Sequence, residues 1–160
     1  MKITIELDDY LEDVEVVIRT SQLTPEIESI KRSLEKAVAP PILFYRGNNE
    51  FYVKIESILF FETDGSKIYA HAREEAYEVK LKLYELEEQL PHYFCRISKS
   101  TIVNTREIYA LEKSFSGTST VRFYDTKKQV HVSRHYYHML KEKLHDTRQD
   151  TVRLFRRILI

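Results

Sequence analysis

The first part of the chain has two stretches with the residue pattern of β-strands. Apolar and polar side chains alternate over residues 2–7, and residues 14–20 are rich in β-branched residues. Alternation places the apolar side chains on one face of a strand, and β-branched residues favour extended backbone. We therefore predict two strands, which Asp8 and Asp9 help to separate.

A helix is predicted to follow these strands. Thr24 and Pro25 suit the N-cap and the first helical position, and the helix must end before Pro40 and Pro41. An apolar stripe along it is formed by Ile27, Ile30, Leu34 and Val38. Residues 1–41 thus form a strand-strand-helix appendage, which is too small to bury a core alone.

Beyond residue 41 the pattern changes to short runs rich in Ile, Val, Phe and Tyr, which predicts mainly β structure. Turn signals divide these runs at Gly47-Asn48-Asn49, Asp64-Gly65, Ser116-Gly117 and Asp125-Thr126. Two helices interrupt the strands, at residues 82–90 and at about residues 134–144, the second with Ser133 as its cap. The predicted fold class is mainly β (α+β), with short helices.

The segment Phe94–Ile108, FCRISKSTIVNTREI, carries the most distinctive polar chemistry of the chain. Hydrogen-bond donors and small hydroxyl groups lie between two apolar runs, which would hold them on a rigid support. Such groups suit the phosphates and base edges of a nucleic acid, and the amide of Asn104 can pair with adenine. Asn104 could equally satisfy backbone groups in a sharp turn.

The net charge of zero hides an asymmetry along the chain. Residues 1–95 hold 11 Lys and Arg against 19 Asp and Glu, a net charge of −8, whereas residues 96–160 hold 14 against 6, a net charge of +8. Charges that merely solvate different faces would give the same totals. However, the basic part contains the polar segment, and this combination favours nucleic-acid binding.

The sequence shows no motif typical of an enzyme. P-loop, dinucleotide-binding and nucleophile-elbow motifs are absent, so we expect no catalysis, no cofactor and no small-molecule substrate. His131, His135 and His138 have a spacing that superficially suits metal ligands, but the first is predicted on a strand and the others on a helix, so we expect no metal site.

Two further features bear on the environment of the protein. Its lone cysteine, Cys95, cannot form an internal disulfide and is expected to be a small buried apolar residue. The sequence has neither an apolar run of about 18 residues nor a signal-peptide pattern, so we expect a cytoplasmic protein.

Two sequence blocks together resemble the LytTR family of bacterial DNA-binding domains. The first is R-I-x-K-S-x-x-V-N at residues 96–104, and the second is V-x-V-S-R-x-Y at residues 130–136. The resemblance covers residues 42–144, including the run ILFFE at residues 58–62. It implies an elongated stack of small antiparallel β-sheets that binds double-stranded DNA with loops in successive major grooves, without a recognition helix.

The resemblance implies three elements that contact DNA. Lys67 follows the turn at Asp64-Gly65, Lys99 stands beside Ser100 and precedes Asn104, and Arg134 lies at the predicted start of the last helix. An arginine opposes the dipole of a helix that it begins, and bidentate pairing of arginine with guanine is the commonest specific contact.

Arg96 completes the predicted DNA-binding set, and the neighbouring Ser98 departs from the family pattern. Arg96 is predicted to contact a phosphate, because it is a basic residue within the first block. Ser98 stands just before Lys99, where family members often have a histidine, and this departure bears on base specificity but not on DNA binding itself.

The resemblance also bears on regulation. Residues 42–145 would form the LytTR domain, and residues 146–160 a basic amphipathic tail that suits a membrane surface, a partner protein, a dimer mate or the domain itself. Forty residues before the domain are too few for a phosphorylated receiver domain. We expect a transcriptional regulator that binds DNA as a homodimer, with a small membrane-protein regulator as a candidate partner. The alternative is a protein-interaction module that touches nucleic acid only incidentally.

Overall fold

The computed structural model describes residues 5–11, 14–38 and 41–158, with side chains as far as Gln149 in the last helix. The chain divides into two compact units, Met1–Leu34 and Glu35–Ile160. Helix α1 spans Pro25–Val38 and begins where the sequence predicts, with the backbone N–H of Ile27 donating to Thr24 Oγ1 at 3.4 Å.

The two strands predicted before α1 do not form in the described residues. Residues 5–8 and 14–20 have no strand hydrogen bonding, and residues 2–4 lie outside the described part of the chain. Their apolar side chains are exposed, for example Ile5 at 83% and Val14 at 87%. A suitable residue pattern is not enough for a strand, because a strand also needs a paired neighbour and a two-stranded hairpin alone is marginal in water.

The described residues of the second unit form two antiparallel sheets. The strands of the larger sheet are β1 (Phe44–Arg46), β2 (Asn49–Phe51), β3 (Phe60–Asp64), β4 (Lys67–His71), β5 (Ala76–Val79), β6 (Phe94–Arg96) and β7 (Thr101–Asn104). Their spatial order is β2-β1-β5-β4-β3-β7-β6. The smaller sheet contains β8 (Ile108–Lys113), β9 (Ser119–Phe123) and β10 (Gln129–Val132), with β9 in the middle. The predicted α+β class with antiparallel sheets is confirmed.

All four predicted turns connect antiparallel strands that pair with each other. Each turn contains one residue with positive φ: 59° at Gly47, 59° at Gly65, 83° at Gly117 and 56° at Asp125. Glycine adopts this conformation without a steric penalty, and aspartate tolerates it better than most residues. Local chemistry therefore sets the positions of these hairpins.

The central strands separate two apolar cores. Phe61 of β3 packs in one core with Leu86 of helix α2 (Leu83–Gln89), while the neighbouring Phe60 packs in the other core with Phe123 and Leu140. Successive side chains of a strand point to opposite faces, so a strand that is buried on both faces reads as a continuous apolar run. This accounts for the run ILFFE at residues 58–62.

Helix α3 spans Tyr137–Ile158, so it begins later and ends later than predicted. A turn precedes it, in which the backbone N–H of Tyr136 donates to Ser133 O at 3.0 Å. Arg134 lies in this turn and not in the helix, so the helix-dipole argument does not apply to it. The predicted tail continues the same helix, but most of its side chains lie outside the described residues. No helix in the described part of the chain is long and apolar enough to cross a membrane.

Candidate nucleic-acid interface

The loop between β6 and β7, residues 97–100, is held in one shape by hydrogen bonds. The backbone N–H of Ile97 donates to Thr101 O at 3.0 Å, and the backbone N–H of Ser100 donates to Ser98 Oγ at 3.1 Å. Lys99 and Ser100 are exposed in this loop. Two of the predicted DNA-contacting side chains are therefore displayed on a well-defined backbone.

The guanidinium group of Arg96 holds the same loop. Its Nε donates to Ser98 O at 2.8 Å, and its Nη2 donates to Lys99 O. Its Nη1 donates to Glu87 Oε2 on α2 at 2.8 Å, and only 19% of the side chain is exposed. A direct phosphate contact by Arg96 would compete with these bonds, so the geometry favours a positioning role for this residue.

Lys67 begins β4 and lies beside the loop at residues 97–100. Its Nζ is 2.9 Å from Glu78 Oε2 on β5, and 53% of its side chain is exposed. The hydrogen bond with the Glu78 carboxylate raises the pKa of Lys67, so this ammonium group remains charged at neutral pH. The backbone N–H of Thr63 donates to Ser100 O at 2.8 Å and joins the β3-β4 hairpin to the loop.

An open groove of about 610 Å³ lies along the β3-β4 hairpin and the loop at residues 97–100. Five cationic side chains contribute to its lining: Lys67, Lys80, Lys82, Arg96 and Lys99. Three of these residues, Lys67, Arg96 and Lys99, were predicted from the sequence as DNA contacts, and the structure brings them together. The nearby acidic groups Glu78 and Glu87 are paired with Lys67 and Arg96, respectively.

Lys80 and Lys82 were not among the predicted site residues. They alternate with Val79, Leu81 and Leu83, a pattern that places the two lysines on the face opposite the apolar side chains. The lysine Nζ atoms lie over aromatic rings, 4.0 Å from the Tyr45 centroid and 5.9 Å from the Tyr84 centroid. The alternation could have identified their shared face, but not its position beside Lys67 and Lys99.

Arg134 occupies a third exposed element next to the loop at residues 97–100. The backbone N–H of the preceding Ser133 donates to Ile97 O at 2.9 Å. The Nη2 of Arg134 donates to Ser116 O, in the turn between β8 and β9, at 3.1 Å. The turn that carries Arg134 is therefore bonded to the loop that carries Lys99.

Asn104 is buried, with 1% of its surface exposed. Its Nδ2 donates to Glu56 O at 3.3 Å and to Ile58 O at 3.0 Å, and its Oδ1 accepts a hydrogen bond from the backbone N–H of Arg106 at 3.1 Å. These bonds leave the amide no accessible edge for a base. This geometry favours the other interpretation of Asn104, a turn-forming asparagine, over the predicted DNA contact.

A comparison with protein families agrees with this arrangement. Residues 48–145, more than half of the chain, match the family described as the LytTr DNA-binding domain. The chain belongs to the LytTR family. The predicted resemblance is thereby confirmed over the region that contains strands β2 to β10 and all three exposed elements.

Curated relatives and a solved structure are also similar to part of this chain. A protein of Staphylococcus aureus strain bovine RF122 / ET3-1, named an uncharacterized HTH-type transcriptional regulator, is 38% identical over 96 residues. A protein of the same name from strain NCTC 8325 / PS 47 is 35% identical over 96 residues. Each alignment covers 58% of this chain and 62% of the relative, so the chain spans about three fifths of the length of these relatives.

The solved structure is a LytTr DNA-binding domain from Bacillus cereus. It has a TM-score of 0.59 and 25% sequence identity, and the match covers 64% of this chain and 94% of the solved chain. In the described residues of our protein, strands separate each α-helix from the next, so no helix-turn-helix is present there. The exposed side chains of Lys67, Lys99 and Arg134 accordingly lie on a strand end, a loop and a turn, not on a helix.

Two other residue groups noted in the sequence have ordinary surroundings. Cys95 is buried, as predicted, and burial raises the pKa of its thiol. His131 lies on β10, with its Nδ1 3.3 Å from Thr120 Oγ1, whereas His135 and His138 belong to the turn and helix that follow. Among the described residues, no group of three or more His, Cys, Asp or Glu side chains is arranged to hold a metal ion.

Proposed function

We propose that this LytTR protein is a transcriptional regulator that binds double-stranded DNA sequence-specifically through three adjacent elements. They are the β3-β4 hairpin with Lys67, the loop with Lys99 and Ser100, and the turn with Arg134. The observation that carries the proposal is their connection by backbone hydrogen bonds, from Thr63 to Ser100 and from Ser133 to Ile97. Family membership adds support, since loop-borne contacts are what the resemblance implies.

The local chemistry suggests a division of roles among these residues. Arg134 and Lys99 are the proposed base contacts, because both are exposed and their side chains are long enough to enter a major groove. Lys67, Lys80 and Lys82 are proposed to contact phosphates along the groove, with a hydroxyl contribution from Ser100. Arg96 and Asn104 are proposed to support the loop and the strand end that present them.

Selection of duplexes from a random-sequence pool tests the proposal with the full chain. We expect a repeated sequence motif to be enriched, with affinity for that motif well above affinity for unrelated duplex at the same salt concentration. Binding that depends on salt but enriches no motif would contradict sequence-specific regulation. It would favour the alternative, an interaction module with incidental nucleic-acid contact.

We further propose that two copies bind repeated half-sites, with their loops in successive major grooves. Half-sites should then be separated by about 10–21 base pairs centre to centre, which keeps both copies on one side of the duplex. Insertion of about five base pairs between the half-sites should reduce affinity, because it rotates them to opposite sides. Equal affinity for all spacings would contradict paired binding.

The first unit is proposed to mediate this dimerisation or to bind a small membrane-protein regulator. Several large apolar side chains of the first unit are exposed: Ile5 at 83%, Leu7 at 93%, Val14 at 87% and Leu23 at 71%. Sedimentation of a variant that lacks residues 1–41 tests the dimer directly. An unchanged oligomeric state, with DNA and partner binding intact, would contradict this role.

A further inference from the structure

The tip of the β8-β9 hairpin, residues 114–118, contacts the side chain of Arg134. The backbone N–H of Ser114 donates to Thr118 O at 3.0 Å, and the backbone N–H of Gly117 donates to Ser114 O at 3.1 Å. These two bonds hold the carbonyl group of Ser116, which accepts a hydrogen bond from Arg134 Nη2 at 3.1 Å. The hairpin belongs to a different part of the sequence from Arg134, 18 residues away.

Gly117 provides the space that the guanidinium group occupies. A Cβ atom at this position would lie 3.0 Å from Arg134 Nη2, 3.2 Å from Nε and 3.3 Å from Cζ. Gly117 also has a φ of +83°, a conformation that residues with a side chain rarely adopt. Two independent requirements, one from the backbone and one from Arg134, thus select glycine here.

We propose that Gly117 is a positioning residue for Arg134 and sets the direction in which its guanidinium group meets a base. This inference rests on the proposed function, because it gives the β8-β9 hairpin a role in specificity through a residue assigned to base recognition. The hairpin positions Arg134 in two ways: the Ser116 carbonyl group accepts a hydrogen bond from the guanidinium group, and Gly117 leaves room for that group because it has no side chain.

A side chain at position 117 should displace the guanidinium group more readily than the backbone. The three atoms that a Cβ would meet form the end of a long, flexible side chain, whereas the hairpin is held by its own hydrogen bonds. Bidentate recognition of guanine needs both donors in one plane at defined distances, whereas attraction to a phosphate tolerates small shifts. Displacement should therefore reduce base preference more than overall affinity.

The experiment uses the full chain and the duplex that the parent protein enriches from a random-sequence pool. The base pair contacted by Arg134 is identified first, as the position where Arg134→Ala loses discrimination. At that base pair Gly117→Ala should lower discrimination about fivefold or more, which corresponds to the lower end of the energy of one bidentate contact. Affinity for unrelated duplex and the dependence on salt should stay unchanged.

Two matched variants separate positioning from damage to the hairpin. Gly47→Ala introduces a side chain at a similar positive φ of +59°, but nothing lies within 4 Å of its Cβ, so base preference should not change. Gly117→Asn introduces a residue that tolerates positive φ but still has a Cβ beside Arg134, so it should relax base preference as Gly117→Ala does. Thermal unfolding of each variant shows whether the fold is retained.

The double variant Gly117→Ala with Arg134→Ala tests whether the effect of Gly117→Ala on base preference depends on Arg134. We expect Gly117→Ala to have no further effect on base preference when Arg134 is already absent. An equal effect in both backgrounds, or unchanged preference in Gly117→Ala alone, would overturn the inference and leave the proposed function standing. If Arg134→Ala itself retained full discrimination, the assignment of Arg134 under the proposed function would be wrong.

Discussion

Asn104 uses its side chain within the protein, where three hydrogen bonds join β7 to backbone groups of residues 56, 58 and 106. Asn104→Ala leaves these buried or partly buried backbone groups without their partner. The free energy of unfolding should fall by about 1–3 kcal/mol, the cost of unsatisfied buried polar groups. Urea denaturation measures this decrease.

The affinity of folded Asn104→Ala for the selected duplex should remain close to that of the parent. Asn48→Ala is the control for stability, because Asn48 is exposed in the turn between β1 and β2 and its removal should change stability by less than about 0.5 kcal/mol. Full stability of Asn104→Ala combined with altered base preference would show that Asn104 contacts DNA after all.

The loop at residues 97–100 depends on Arg96, whose three donors bind Ser98 O, Lys99 O and Glu87 Oε2. Without that side chain the loop should lose its defined shape. Arg96→Ala should therefore accelerate amide hydrogen exchange at residues 98–100 and weaken binding of the selected duplex, with an unchanged slope of log affinity against log salt. A direct phosphate contact would instead lower this slope by about 0.9.

Arg96→Lys distinguishes the two roles in a second way. An ammonium group keeps the charge but cannot reproduce the planar arrangement of guanidinium donors, so it should behave like Arg96→Ala. Parent-like DNA binding by Arg96→Lys would support the phosphate contact that the sequence predicted and contradict the positioning role.

The segment that leads into α2 contributes Lys80 and Lys82 to the same groove as Lys67 and Lys99. If both lysines contact phosphates, the double variant Lys80→Ala with Lys82→Ala should weaken binding of all duplexes alike. The salt slope should fall by about 0.9 for each phosphate that the variant no longer neutralises. Lys54→Ala is the control, since Lys54 is exposed but is not among the residues that line the groove. An unchanged slope in the double variant would place DNA away from this groove.

The two sheets of the second unit meet at a partly buried histidine. His71 of β4 stacks on Phe60 at 4.3 Å between ring centroids, and Phe60 stacks on Phe123 of the smaller sheet at 5.4 Å. Burial lowers the pKa of His71, the Glu62 carboxylate 2.9 Å from its Nε2 opposes this effect, and the ammonium group of Lys128 adds to it. The folded protein therefore disfavours the charged form of His71.

This lowered pKa predicts how stability depends on pH. Between the lowered pKa and the ordinary value of about 6.5, the unfolded chain binds more protons at this site than the folded protein does. The contribution of His71 to the free energy of unfolding should thus be largest above about pH 6.5 and should decrease as the pH falls through this interval. Below the lowered pKa, a further fall in pH should cause no further loss of stability from this residue.

Urea denaturation over a series of pH values tests this expectation. His71→Gln removes the titrating group, so the contribution of this site to the pH dependence should disappear. His135→Gln, which replaces an exposed histidine, should retain the parent profile. An identical pH profile for His71→Gln and the parent would contradict the assignment.

Local features of the fold could be predicted because their causes lie within a few residues. Gly47, Gly65, Gly117 and Asp125 stand at turns since steric limits on φ act within a residue. Helix α2 and most strands follow from apolar periodicity, and the two motif blocks were enough to indicate the family. The exceptions are the two strands expected before α1, whose formation depends on a paired neighbour, and the bounds of α3, which begins and ends later than predicted.

The sequence by itself determined the positions of the hairpin turns, the family and the stretch of chain that carries the polar chemistry. Only the tertiary structure decided which of those polar groups remain available, since their partners are distant along the chain. The amide of Asn104 donates to carbonyl groups 46 and 48 residues away, and the guanidinium group of Arg134 donates to the Ser116 carbonyl group 18 residues away. A polar side chain can contact DNA only through those donors and acceptors that the folded protein leaves accessible.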